Sequence, residues 1–262
     1  MTLVSYHTSN QIGYITLNRP EKRNALNSEM VTELKAAFSR ASEDNSCKVI
    51  VLKAEGAAFS AGADLAYLQQ LQENSYDENY ADSSHLKELF EQIYWHDKVV
   101  IAQVEGHAIA GGCGLATVCD FVFSVPEASF GYTEVKIGFI PAIVMFFLLR
   151  KVDEKTAKEL LLTGKLFNAE KALSYGLLNE IVAADAIEEH VNKFAGKLVA
   201  QCSGQSLQIT KLMIAEIQSM KGREALDYAA QMNAKARGNE DCKKGISAFL
   251  QKENIDWSNT LS

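Results

Sequence analysis

The 262-residue sequence predicts an α/β fold, with strands joined by crossover helices through the first half and a helical region behind them. Three observations carry this expectation. Short runs rich in Val, Ile, Phe and Tyr recur between residues 3 and 125. Segments of helical period lie between them. Past residue 140 the alternation stops and helical patterning takes over.

Taken in order, residues 3–7 and Ile12–Leu17 are the first two candidate strands. Met30, Leu34, Phe38 and Ala41 then repeat on one helical face. Residues 48–53 form the next strand, and Leu86, Leu89, Phe90, Ile93 and Tyr94 mark a second helical stripe before the strands Val99–Val104 and 121–125. Helices between successive strands imply parallel pairing. A short helix is expected over 115–118. Asn168 is placed to cap a helix over 169–175, with Gly176 just past its end. Ile187, Val191, Phe194 and Leu198 make a further stripe, and residues 203–252 read as helix interrupted near Gly222 and Gly238. The polar stretch 251–262 is expected to be loose or borrowed by a partner.

Composition excludes several function classes. Lys and Arg number 26 against 33 Asp and Glu, a net charge of −7, which argues against binding to nucleic acid or to an anionic membrane. At 47% hydrophobic and 23% charged the chain has globular composition. Its longest apolar run, 139–149, is far short of the roughly 20 residues that cross a bilayer, and its first residues lack the blocks of a signal peptide. A soluble cytoplasmic protein is expected. Five cysteines without a CxxC pair suggest small buried thiols rather than disulfides or zinc, and the histidines show no metal-ligand spacing.

Three glycine-containing segments carry the candidate chemistry: residues 59–65 (FSAGADL), 104–115 (VEGHAIAGGCGL) and 130–134 (FGYTE). Singly, such glycines are most simply turns and close-packing points. Together they offer backbone N–H groups beside a helix N-terminus, a way to hold an oxyanion. In this order and spacing they resemble the signature of the crotonase family, the enoyl-CoA hydratase/isomerase superfamily. The likeness runs from about Ile12 to Trp257 and extends to the 17–26 loop (LNRPEKRNAL) and to Phe249-Leu-Gln-Lys252. Within the family it looks most like bacterial members named as enoyl-CoA or methylglutaconyl-CoA hydratases.

The resemblance implies a spiral of ββα turns over residues 1–200 with an acyl-CoA site, and a helical oligomerisation region over 201–262 that builds a trimer or a dimer of trimers. The substrate would be an acyl-CoA thioester, so that coenzyme A arrives with the substrate and no separate cofactor or metal is needed. The N–H groups of Ala63 and Gly111 fall at the oxyanion-hole positions, and Glu134 at the position of a catalytic acid/base. Lys22, Arg23, Ala25, Ala61, Asp64 and Leu65 fall around the CoA site, and Phe249 and Lys252 where a neighbouring subunit's nucleotide is commonly reached. Asp64 also reads as a helix cap. Tyr132 suits pocket lining or core packing, His107 a packing role, and Lys136 and Arg150 solvated or backbone-binding roles.

The sequence departs from the family in two places. Hydratases carry a second glutamate three residues after the oxyanion-hole glycine, where this chain has Gly114. The Pro-Gly-rich stretch is replaced by the apolar run after Ile140, which implies either a reshaped acyl pocket or a helix packed on the core. By its likeness to the bacterial hydratases the leading function is nevertheless a lyase that hydrates or dehydrates an α,β-unsaturated acyl-CoA through Glu134. A Δ3,Δ2-enoyl-CoA isomerase, for which one base suffices, is the alternative, and a non-catalytic acyl-CoA-binding protein the third. If Gly114 were replaced by glutamate, hydration should be kept or raised in a hydratase, provided that glycine is not required there for packing.

Overall fold

The chain, described here by a computed structural model over residues 2–259, folds as two sheets wrapped by helices. Strands β1 (Val4–Ser9) and β2 (Ile12–Leu17) form an antiparallel hairpin in which Val4 faces Leu17. Its two-residue turn, Asn10-Gln11, has positive φ at both positions, the conformation whose twist suits a tight hairpin. Helix α1 (Ser28–Glu43) starts at Asn27, whose side chain accepts the Met30 N–H, and buries Met30, Leu34, Phe38 and Ala41.

Three ββα turns follow. The first holds β3 (Val49–Ala54), β4 (Ala58–Ser60), α2 (Leu65–Leu71) and α3 (Tyr76–Tyr94), the last opened by a reciprocal Ser75–Glu78 cap. The second holds β5 (Val99–Val104), β6 (His107–Ile109) and α4 (Gly111–Val118). The third holds β7 (Phe121–Ser124), β8 (Ser129–Gly131), a 3-10 turn at Glu134–Ile137 and α5 (Ala142–Leu148). Helix α6 (Glu154–Thr163), β9 (Phe167–Asn168), α7 (Ala169–Ser174), β10 (Glu180–Ile181) and α8 (Ile187–Gln201) complete the core. Helices α9 (Gly204–Ile217), α10 (Gly222–Gly238) and α11 (Glu240–Gln251) form the end region, with breaks near Gly222 and Gly238 as patterned.

The larger sheet has the order β1-β2-β3-β5-β7-β10, parallel from β2 onward. Every residue of β5 is buried, as expected of a parallel strand covered on both faces. The smaller sheet, β4-β6-β8-β9, corrects the sequence reading. The three glycine-containing segments, whose glycines read as turns and close-packing points, overlap strands that are absent from the candidates, and β4, β6 and β8 run parallel. At three residues each they are too short for alternation to show. Helix α4 likewise begins at Gly111, four residues before the expected start, because its first turn is glycine-rich and has no side-chain cap.

Buried lysines tie the end region to the core. Lys211 Nζ on α9 lies 2.8 Å from the Asp120 carboxylate and donates to the carbonyls of Ile93 and Lys98. Lys48 Nζ donates to the carbonyls of Val199 and Trp257. Trp257 is itself buried, against Gly245 of α11. The expectation of a loose or borrowed terminus is thus corrected as far as this docked tail, while the rest of it, 260–262, lies outside the described residues.

Candidate active site

Because β4, β6 and β8 are neighbours and parallel, their C-terminal ends open on one edge of the small sheet. Ala63 follows β4 by three residues, Gly111 follows β6 by two and Glu134 follows β8 by three. The edge outside the carboxyl ends of parallel strands is where α/β sheets offer ligands a crevice.

The loop at Ala63 is held from behind. Leu26 pairs with it as an isolated parallel bridge, its N–H donating to Gly62 O (2.7 Å) and its carbonyl accepting from Asp64 N (2.9 Å). This pattern turns the Ala63 N–H away from Leu26. Asn24, fully buried, ties the 19–26 loop to the turn between β3 and β4: Oδ1 accepts from Arg19 N, and Nδ2 donates to Glu55 O and Ala58 O, each at 2.8 Å. Replacing Asn24 with Ala removes all three bonds and strands buried backbone groups. We expect a loss of about 2–4 kcal/mol in urea denaturation, and a loss under about 1 kcal/mol would show the loop is held by other means.

Gly111 is the first residue of α4, so its N–H precedes the helical ladder, whose first 5→1 bond here is Gly114 N to Ala110 O at 3.1 Å. Ala110 sits at φ 50°, ψ −125°, a conformation that L-residues rarely adopt and that turns the following peptide. The two loops abut: a Cβ on Gly62 would stand 2.9 Å from Ala110 Cβ and 3.6 Å from Gly111 N. Gly62 has φ +87°, so both space and backbone require glycine there. Gly111 itself has room, since an added Cβ would meet only Leu26 Cδ1, at 3.4 Å. The Ala63 loop and the first turn of α4 thus stand side by side at this edge of the small sheet.

Glu134 opens the 3-10 turn and is 8% exposed. Tyr132, two residues earlier, is fully buried with its hydroxyl 2.9 Å from Thr117 Oγ1, which pins this segment to α4. Tyr132 is therefore core. Glu134 Oε2 is buried and has no hydrogen-bond partner among the described residues. Burial raises the Glu134 pKa above the ordinary carboxylate value, opposed only by its own backbone amide. Its charge is felt by Cys113 on α4 and by Tyr132, the residue that bonds α4 through Thr117. Burial pushes the Cys113 thiol up to about 12, so it is no base at neutral pH.

The remaining sequence-predicted residues are placed less uniformly. Lys22 and Arg23 are exposed, whereas Ala25 is buried and its N–H is spent on Lys22 O, as that of Ala61 is on Arg23 O. Asp64 is the cap of α2: its carboxylate accepts from Ala66 N and Tyr67 N and lies 2.8 Å from Arg19 Nη1. Burial would raise its pKa, but these partners outweigh it and hold it below the usual range. Leu65 begins α2, and its side chain lies outside the described residues. Phe249, 83% exposed, and Lys252 lie on or just past α11, which packs on α9 and α10, and they are not among the groups the three strand ends gather. His107 is exposed rather than packed, and its Nδ1 accepts from Ser129 N. Arg150 donates to Phe146 O and stacks on the Phe146 ring. Among the described residues no group of three potential metal ligands converges.

The residues that sequence reasoning missed lie around Gly114. Val144 and Phe90 fill the space beside it, and α5 supplies Val144 from the apolar run whose role had two readings. Its inner face, with Val144, Phe147 and Leu148, packs on the core, while Ile140, Phe146 and Leu149 remain exposed.

Comparison with known proteins identifies the family and the fold. The family model described as enoyl-CoA hydratase/isomerase matches residues 7–260. A Thermus thermophilus protein named "Putative enoyl-CoA hydratase" is 42% identical over 92% of this chain and 95% of that one. The crotonyl-CoA hydratase of Syntrophomonas wolfei is 31% identical over 94% of each. The crystal structure of an enoyl-CoA hydratase from Shewanella pealeana superposes with a TM-score of 0.92 at 27% identity, covering 97% of this chain and 96% of that one. A match of this extent, on a spiral of ββα turns with these strand ends, makes the chain a member of the enoyl-CoA hydratase/isomerase family, with the crotonase fold and an enzymatic site.

Proposed function

We propose that the protein adds water to, or removes it from, the α,β-double bond of an acyl-CoA thioester, with Glu134 as its single acid/base. The observation that carries this reading is the buried, unpartnered Oε2 of Glu134 on the strand-end edge it shares with Ala63 and Gly111. The N–H groups of Ala63 and Gly111 hold the thioester oxygen. Water attacks Cβ and gives a proton to Glu134 as the Cα–Cβ π electrons move onto the thioester oxygen. Glu134 then returns that proton to Cα, the enolate collapses, and a 3-hydroxyacyl thioester leaves. The proton taken from water is the one delivered to carbon, so one carboxylate closes the cycle.

Gly114 favours a second reading. A site with one carboxylate can also take a proton from C2 of a 3-enoyl thioester and return it at C4, moving the double bond with no water involved. A screen of 2-enoyl, 3-enoyl and methylglutaconyl thioesters, with hydration and migration followed separately, decides between them. Hydration of none of these, beside rapid migration, would establish the isomerase. Turnover of neither kind would leave an acyl-CoA-binding protein.

Exposed Lys22 and Arg23 suit the phosphates of coenzyme A, and Phe249 and Lys252 suit the nucleotide held by a neighbouring copy. The exposed Ile246, Phe249 and Leu250 on α11 support a homo-oligomer built through residues 201–262, as a trimer or a dimer of trimers. No described helix is long and apolar enough to cross a membrane, and a cytoplasmic location is part of the same proposal.

The pH dependence has a definite sign. Hydration needs Glu134 as carboxylate, so kcat/KM should climb with pH and level off above its raised pKa. The inflection should therefore lie above the ordinary carboxylate range. A profile that is already level at the top of the ordinary carboxylate range would contradict a buried base.

A further inference from the structure

Gly111 and Gly114 stand three residues apart on α4 and share one face of the helix. A side chain at 114 would point alongside the donor amide, and the space it needs is already full. A Cβ built on Gly114 falls 2.9 Å from Val144 Cβ, 3.1 Å from Phe90 Cε1 and closer still to Val144 Cγ1. Neither neighbour is free to withdraw. Phe90 is fully buried and stacked on Phe147 at 5.7 Å, Phe147 meets Tyr94 at 5.2 Å, and α5 is thereby locked against α3. Val144 is 5% exposed and β-branched, which leaves it one comfortable rotamer in a helix.

We propose that Val144 is the specificity-determining residue of this site: its methyl groups occupy the volume of the absent second carboxylate and make the wall beside Gly114 apolar. The inference rests on the reading of Glu134 as the single acid/base. A water at Cβ then finds a hydrogen-bond partner in Glu134 and none on the Val144 side. The balance between adding water and returning the proton to carbon is set by the room Val144 leaves. The same contact accounts for Gly114, since α5 in this position admits no side chain there, and it meets the proviso on restoring glutamate at 114, because packing requires the glycine.

Val144→Ala keeps the apolar surface but opens space for water. The ratio of hydration to double-bond migration should rise about tenfold, the scale on which small volume changes in a pocket discriminate. An unchanged ratio in the folded variant overturns the proposal. Gly114→Glu alone should lower Tm by about 5 °C or more through overpacking. Gly114→Glu combined with Val144→Gly should recover most of that loss, and its kcat/KM profile should show a second ionisation. Gly114→Glu as stable as the parent would show that Val144 is not the occupant that matters. Glu134→Gln separates the two levels: a fully active Glu134→Gln sinks the single-base reading itself, whereas an inactive one with an unchanged Val144→Ala ratio sinks only the role of Val144.

Discussion

Glu134→Gln should lower turnover roughly 10²–10⁴-fold while leaving binding of the CoA thioester nearly intact. The substitution keeps the shape of the side chain and removes only its ability to carry a proton. Its neighbours among the described residues do not replace it: Cys113 is held as a thiol, Gly114 has no side chain, and Asp64 is engaged by α2 and Arg19. The measurement is kcat and KM on a 2-enoyl and a 3-enoyl thioester, with binding checked by calorimetry. A loss smaller than about fivefold would place the base elsewhere.

The same variant should be more stable than the parent at neutral pH. Burial raises the Glu134 pKa in the native state above that of the unfolded chain. In acid both states are protonated and the carboxyl costs nothing. As pH rises past the unfolded-state value, the unfolded chain ionises freely while the native state resists, so native stability falls until pH passes the raised value. Glutamine has no such window. The Tm difference between Glu134→Gln and the parent should thus open as pH rises out of the carboxylate range and then stay constant. Superimposable Tm–pH curves would show that the carboxyl is not desolvated. A base left unpaired in the core is a stability cost that function requires.

Much of this was legible in the sequence where periodicity had length to work with. Ile12–Leu17 and Val99–Val104 are strands with the expected bounds, and Met30 to Ala41 mark the buried face of a sixteen-residue helix. Asn168 caps α7 and Gly176, at φ +76°, follows its end, because capping chemistry is local. The small sheet was not legible, since three-residue strands carry no pattern and their pairing joins segments tens of residues apart. The family motifs nevertheless pointed at the ends of those very strands. What the motifs could not show was which amides are already spent: those of Ala25 and Ala61 donate to carbonyls of the 19–26 loop, a fact of backbone hydrogen bonding invisible in the letters. Nor could spacing reveal that Val144, thirty residues from Gly114, stands against it, because that contact depends on how α5 docks on α3 and α4.

Gly111→Pro should cost about 3 kcal/mol or more in the transition state, a fall of at least about 10²-fold in kcat/KM. Proline deletes the N–H and places its ring carbon where the thioester oxygen would sit. The first position of a helix tolerates proline well, but the preceding residue is then pushed toward extended backbone, and Ala110 has φ 50°, ψ −125°. Some loss of activity could therefore come from a shifted loop rather than a missing donor. Gly111→Ala resolves this, because it keeps the N–H. An alanine side chain at 111 does not block the amide: an added Cβ meets only Leu26 Cδ1, at ordinary contact distance. Alanine should stay within about tenfold of the parent while proline falls far below it. Circular dichroism and Tm must show both variants folded. Equal losses in the two would assign the effect to the loop, and parent-like rates in a folded Gly111→Pro would remove Gly111 from the oxyanion site altogether.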